Sequence, residues 1–307
     1  MNSPLVSVVI PTYNRAEYIA ETIESVLVQT YQNIEVIVID DGSTDNTQEA
    51  VEPYLGRIQY VRQENAERGA SRNHGLRLAT GEFIAFLDSD DLWLPTKVEG
   101  DLRLFAEDPA VGVVCADAIQ IDRAGADTKP LKAKGASTQV TERLLGNNSV
   151  LMATHLVRTE LIRAIGGFRE ERELSGSEDW EMWVRLSTRT KFVYRAEPTA
   201  KIRAFHANTM GDADVMSRSM NCAVRIMEES DYLTPEQKKR LDRTRAMVSL
   251  VNAINYCSTG NNKKVVTALK HAVGSSPGIV LDPRFGYTIL RMLTGERISK
   301  SRRQISS

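Results

Sequence analysis

The sequence predicts an α/β protein: a Rossmann-like, doubly wound, mostly parallel sheet followed by a helical C-terminal extension. Two observations carry this. Through the first hundred residues, short and nearly continuous apolar runs alternate with stretches of helical spacing, and strands separated by helix-length segments pair in parallel. Beyond about residue 212 the apolar spacing is mostly helical.

The elements follow in chain order. LVSVVI (5–10), IEVIVID (34–40), IQYV (58–61) and FIAFLD (83–88) read as buried strands bounded by turn residues. Between the first two, Ile19, Ile23, Val26 and Leu27 recur at helical spacing, with Asn14 as the expected N-cap. Asp45 and Gln48 predict a variant capping box for a second helix, and ASRNHGLRLAT supplies a third. In the middle of the chain VGVVCADAIQID and SVLMATHLVR read as strands, RTELIRAIGGF as a short helix ended by Gly166 and Gly167, and SEDWEMWVRLSTR as an amphipathic helix. Later helices are expected near 214–230, 235–258, 262–273 and 284–293. The spacing of Ala253, Tyr256, Gly260, Ala268, Ala272 and Pro277 loosely resembles one tetratricopeptide helix pair, but a plain helical hairpin explains a single copy more simply.

Composition narrows the function. A chain of 307 residues, 42% hydrophobic and 26% charged, is an ordinary globular protein of one large domain, one domain with an appendage, or two domains. A net charge of -1 excludes a nucleic-acid binder that relies on a broadly basic surface. Cys115, Cys222 and Cys257 are widely spaced and form neither a disulfide framework nor a cysteine zinc site, which fits a reducing cytosol. MNSPLVSVVIPTYNR has no basic leader region, and no segment approaches the roughly 18 apolar residues of a spanning helix, so membrane association is expected to be peripheral.

The chemistry sits at predicted strand ends. One strand delivers Asp40 and Asp41, and another delivers Asp88, Asp90 and Asp91; in an open α/β sheet, ligands bind outside the carboxyl ends of the strands. Converging carboxylates repel, so a cation or ligand donors must offset their charge. Oxygen ligands without cysteine suit Mg²⁺ or Mn²⁺ shared with phosphates. Taken alone, Asp40-Asp41-Gly42-Ser43 reads equally as a turn and cap, and Asp-Ser-Asp-Asp as a solvated loop; their joint placement is far more specific.

SVVIPTYNR, VIDDGSTD, NAERGASRNHGLRLATGE, FIAFLDSDD, GGFRE and SEDWEMWVRL occur in this order over roughly residues 5–206. This series resembles the family 2 glycosyltransferases of GT-A fold. The resemblance implies a glycosyltransferase domain over 1–211, with a nucleotide-sugar half at about 1–110 and an acceptor half at about 111–211, and a helical extension over 212–307. It implies an inverting, metal-dependent transfer of a hexosyl or N-acetylhexosaminyl group from a nucleotide-sugar, UDP-linked, to a hydroxyl of a glycan or lipid-linked glycan, as in polysaccharide biosynthesis. The alternative reading is a catalytically silent nucleotide-sugar sensor or scaffold, which retention of both Asp90 and Asp179 weighs against. A nucleotidyltransferase is disfavoured because PTYNRAEY lacks a glycine- and lysine-rich triphosphate loop.

By the same resemblance, Pro11 lies against the base, Tyr13 stacks on it, Asp41 bonds it, and Arg72 lies near the nucleotide or its diphosphate. Asp88 holds the ribose or a metal-bound water, and Asp90 ligates Mn²⁺ or Mg²⁺ on the diphosphate. Asp91 either shapes the loop or contacts the sugar. Asp179 is the general base. Trp180 and Trp183 share a helix face, and core packing is expected for at least one of them. His206 is either a metal or phosphate ligand or an ordinary loop histidine, because Arg203-Ala204-Phe205-His206 departs from the Arg-x-His spacing of many relatives. His74, His155 and His271 read as structural. Lys238-Lys239-Arg240 and the basic tail from Arg297 to Arg303 are either solvated charge or a contact with an anionic membrane. The expected location is the cytoplasm, with peripheral association at the inner face of the cytoplasmic membrane as the extension of that reading. Oligomeric state is not readable from the sequence.

Overall fold

The structure is a computed structural model that describes residues 3–133, 140–146, 148, 150–204 and 213–294. Its contacts divide the chain into two compact units, Met1–Leu144 with Asn148–His206, and Leu145–Asn147 with Ala207–Ser307.

The first unit is built on one mixed sheet. In chain order its elements are β1 (Val6–Thr12), α1 (Ile19–Leu27), β2 (Ile34–Asp40), α2 (Thr47–Val51), β3 (Gln59–Arg62), α3 (Glu67–Leu78), β4 (Phe83–Phe86), β5 (Leu92–Trp93), α4 (Lys97–Glu107), β6 (Val111–Ile121), β7 (Asp127–Leu131), α5 (Val140–Gly146), β8 (Leu156–Arg158), α6 (Thr159–Ala164), α7 (Glu178–Ser187) and β9 (Lys191–Arg203). The strand order is β3-β2-β1-β4-β8-β6-β9-β5, with β7 beside β6. β1, β2, β3 and β4 run parallel, β8 runs antiparallel to both β4 and β6, and β6 is parallel to β9.

The chain winds from β1 outward through β2 to β3, then crosses to β4 on the other side of β1. That reversal makes β1/β4 a topological switch point, where a crevice opens at the carboxyl ends. Every residue of β1 is buried, as expected for a central parallel strand covered on both faces. Pro11 is tolerated in this strand because of its parity. Val9 O accepts from Leu87 N on the β4 side, whereas Thr12 O accepts from Asp41 N on the β2 side. Pro11 shares the parity of Val9, so its missing N–H faces past the end of β4 and costs no ladder bond.

Two capping expectations are corrected. Asn14 does not cap α1; Tyr18 occupies that position without a side-chain bond. Asn14 instead adopts a left-handed backbone (φ 52°), and its Oδ1 accepts from the N–H groups of Thr44 at 2.7 Å and Asp45 at 3.3 Å, tying the ends of β1 and β2 together. Asp45 does accept from Thr47 N at 3.0 Å, but its other oxygen takes Ala16 N at 3.2 Å, and Gln48 Oε1 accepts from Arg62 rather than closing a capping box. SVLMATHLVR is not one strand: a short 3₁₀ turn, Met152–Thr154, precedes β8, and His155 lies between them.

The second unit contains α8 (Ala213–Glu229), α9 (Pro235–Lys239), α10 (Leu241–Thr259), α11 (Asn262–Ser275) and α12 (Pro283–Thr294). The single helix expected over 235–258 is two, because Arg240 N bonds Gln237 O three residues back and the helical ladder slips there. α10 and α11 form a hairpin around Ala246, Leu250, Ala253, Val265, Leu269 and Ala272. Gly260 makes the turn with φ +74°, a left-handed C-cap that glycine adopts without strain. Among the described residues, no helix is long and apolar enough to cross a membrane.

Candidate active site

Four chain segments converge at the carboxyl edge of β1, β2 and β4. The first follows β1, where Pro11 is buried and Tyr13 is 47% exposed, an open aromatic face beside the switch point. The second follows β2. Asp40 is fully buried and accepts from Ser43 N at 2.8 Å and the Tyr60 hydroxyl at 2.5 Å. Asp41 accepts from Ala66 N (2.9 Å), Glu67 N (3.1 Å) and Gln63 Nε2 (2.7 Å). It thereby anchors the entrance of α3, and three bonds leave about one of a carboxylate's four acceptor positions for a ligand.

The third segment is the loop after β4. Asp88 Oδ1 accepts from Arg72 at 2.8 Å, and Asp90 Oδ2 accepts from Arg15 at 3.2 Å. Burial alone would raise Asp88, but the Arg72 and Arg68 charges and the Arg72 hydrogen bond together bring its carboxyl below the ordinary value. Asp90 is raised, by burial first and then by the Asp88 charge. Asp91 holds the loop from within. It is buried, its Oδ1 accepts from Arg203 N at 2.9 Å, and its own N–H bonds Asp88 O at 3.0 Å. Burial and the Asp90 and Asp88 charges hold Asp91 well above the usual carboxylate range.

The fourth segment is the N-terminus of α7, whose first turn carries Glu178, Asp179 and Glu181, a placement that the positive end of the helix dipole favours. Glu178 accepts from Gly176 N at 2.6 Å and from Arg72 at 2.5 Å. Asp179 Oδ1 accepts from Trp180 N at 2.7 Å and Oδ2 from Asn148 Nδ2 at 3.0 Å. Burial, then the neighbouring Glu178, push its carboxyl up to about 6.

Arg72 lies at the same edge, between two of these segments. Its guanidinium is enclosed between Asp88 and Glu178 and lies over the Phe168 ring, 5.4 Å from the centroid. Both terminal nitrogens are engaged by carboxylates, so it braces the loop after β4 against α7. Both tryptophans are core: Trp180 donates to Leu144 O at 2.7 Å, and Trp183 meets the edge of the His155 ring at 4.8 Å. His155 is fully buried. Its Nε2 accepts from Phe86 N at 3.1 Å, which leaves Nδ1–H to donate to Met152 O. Burial and the Lys97 charge push it down to about 3, so it is a neutral structural ring beneath the loop after β4. His74, on α3, bonds Gln63 just after β3, and His271 is exposed on α11. His206 and the Arg297–Arg303 tail lie outside the described residues.

Three residues of the site were not read from the sequence. Arg15 was visible only as the end of PTYNR. Arg203 is almost wholly buried and binds the loop through its N–H to Asp91 and its Nε to Asp90 O at 3.1 Å. Asn148 had no signal, because its partner Asp179 is remote in sequence.

Among the described residues no group of three or more His, Cys, Asp or Glu side chains forms a ready metal cage. Asp88 and Asp90 nevertheless fit a divalent cation. They are two hard oxygen donors on one loop, with Asp90 raised by burial and then by the Asp88 charge, and Mg²⁺ or Mn²⁺ is commonly held by one or two carboxylates, with substrate phosphates completing the shell.

Comparison with known proteins decides the family. The family model described as glycosyl transferase family 2 matches residues 7–164, just over half of the chain. The chain belongs to glycosyltransferase family 2. An uncharacterized glycosyltransferase of Rickettsia typhi is 32% identical over 219 residues, covering 69% of this chain and 67% of that protein. The chain spans 44% or less of the length of three further rickettsial glycosyltransferases. Two solved structures share the architecture. S. aureus TarS in complex with UDP-GlcNAc has a TM-score of 0.66 at 22% identity, covering 95% of this chain and 89% of that chain. Mannosyltransferase PcManGT of Pyrobaculum calidifontis, in complex with GDP-Man and Mn²⁺, has a TM-score of 0.60 at 21% identity, covering 94% and 84%. At these identities the likeness establishes the fold, which is GT-A with a helical C-terminal region.

Proposed function

We propose that this glycosyltransferase is inverting and metal-dependent, and moves a hexosyl or N-acetylhexosaminyl group from a UDP-linked donor to a hydroxyl of a glycan or lipid-linked glycan. The observation that carries the reading is the shared guanidinium of Arg72, which holds the Asp88 loop and the Asp179 helix at one crevice. A donor-binding edge and a base next to each other are what a single displacement requires.

Tyr13 offers a stacking face to the base, Pro11 walls it, and the remaining acceptor position of Asp41 takes a ring N–H. Asp88 and Asp90 would hold Mn²⁺ or Mg²⁺, which neutralises charge on the departing diphosphate. Arg15 and Arg72 keep the two carboxylates in place. Asp179 accepts the proton of the acceptor hydroxyl as its oxygen forms a bond to the anomeric carbon. The bond from that carbon to the diphosphate oxygen breaks on the opposite face, the leaving group keeps the electron pair, and the configuration inverts. A raised proton affinity suits Asp179 to this step near neutral pH.

An acceptor at an anionic membrane surface is supported by α12. Phe285, Ile289 and Met292 pack inward, while Tyr287, Leu290 and Leu293 are 50%, 59% and 74% exposed. Arg297, Lys300, Arg302 and Arg303 follow in sequence. An apolar helix face joined to a basic segment is the pairing that gives peripheral association with anionic lipid, here at the cytoplasmic face.

The test is the anomeric configuration of the product by proton NMR, using UDP-hexose and UDP-N-acetylhexosamine donors with Mn²⁺, for wild type and Asp179→Asn. Inversion by wild type and loss in the variant support the reading; retention, or an undiminished variant, contradicts it.

A further inference from the structure

We propose that Asn148 is a positioning residue that fixes the Asp179 carboxylate in one orientation for proton abstraction. The inference rests on the reading of Asp179 as the base. The two oxygens of Asp179 each take a single donor: Oδ1 the N–H of Trp180 on its own helix, and Oδ2 the Nδ2 of Asn148 on the segment between α5 and β8. Only the second fixes the carboxylate plane from outside α7. Without it Oδ2 is free to turn about the terminal torsion, which is broad for aspartate.

The Asn148 side chain has no competing structural duty. Its Oδ1 is buried and accepts no hydrogen bond, and among the described residues its side chain bonds Asp179. A buried amide with its acceptor unused weakens the fold, and such a residue is explained by what it does for its one partner. The charged groups that bear on Asp179 are Glu178 beside it on α7, which raises its proton affinity, and Arg72 from α3, which lowers it. Asn148 adds a neutral donor that favours the ionised base.

The test needs no donor sugar. In protein labelled at the aspartate carboxyl carbons, the Asp179 resonance is assigned by its loss in Asp179→Asn and then titrated by carbon NMR. Removing a donor to the charged form in Asn148→Ala is expected to raise the midpoint by about one pH unit. Asn148→Asp, which adds a like charge, raises it further, and Asn148→Gln restores part of the shift. A one-unit rise in the folded-state midpoint costs about 1.4 kcal/mol once the carboxyl is ionised. The urea midpoint of Asn148→Ala is therefore expected to lie below wild type at alkaline pH and to converge with it at acid pH, where the carboxyl is protonated in both. A gap that does not change with pH marks a structural role instead. An unshifted titration in both the Ala and Asp variants overturns the inference while leaving Asp179 as the base. Undiminished transfer by Asp179→Asn removes the base while leaving the hydrogen bond and its titration shift in place.

Discussion

Asp88 and Glu178 hold the same guanidinium: Arg72 donates to Asp88 Oδ1 at 2.8 Å through one terminal nitrogen and to Glu178 Oε1 at 2.5 Å through the other. The side chain of Arg72 is 3% exposed and that of Glu178 5%, so little solvent screens that half of the arrangement. Replacing Arg72 by Ala strands buried negative charge and is expected to cost about 3 kcal/mol, the low end for breaking a buried pair because Asp88 is partly exposed. Urea denaturation measures this. Arg72→Lys, a single ammonium that cannot bridge both carboxylates, should fall between the two.

Asp179→Asn keeps the shape of the side chain and removes the base. Transfer is expected to fall roughly 100- to 10,000-fold, with UDP affinity in the presence of Mn²⁺ unchanged. Loss of nucleotide binding in this variant would assign Asp179 to the donor site instead.

The raised carboxyl of Asp179 links activity and stability to pH in opposite directions. The base must be ionised, so activity is lost as pH falls through about 6. For stability the sign reverses. A carboxyl raised from 3.8 favours its protonated form in the fold, a contribution fully present below 3.8 and lost as pH rises through about 6. The unfolding free energy of wild type relative to Asp179→Asn should therefore decline across that interval, and a flat difference would contradict the raised value.

Gly75 tests how α3 packs on β1. A Cβ built there would lie 2.2 Å from Val9 Cγ1, and Val9 is fully buried in the central strand. Gly75→Ala should destabilise by about 1–2 kcal/mol, because overpacking a tight core outweighs the gain in helix propensity. A stabilised variant by thermal melting would show that α3 can retreat from the sheet.

Most of the parallel half was legible because buried parallel strands are nearly continuous apolar runs: IEVIVID coincides with β2. The errors fall where a remote group outcompetes a local one. Asn14 has a good capping side chain, but the exposed N–H groups of the loop after β2 take it. For Arg72 the sequence does not show that Asp88 and Glu178 arrive on either side of it. Asp179 could be proposed from its place in the motif order, whereas Asn148 could not, since the bond that gives it meaning forms only when the segment before β8 folds onto α7.

The donor site is tested most directly by calorimetric titration of UDP into wild type and Asp90→Ala, each with Mn²⁺ and then with EDTA. Wild type is expected to bind UDP only with the metal, and Asp90→Ala to lose that dependence together with most of the affinity. UDP binding by wild type that EDTA does not change, retained in full by Asp90→Ala, would contradict a metal-bridged diphosphate at the end of β4.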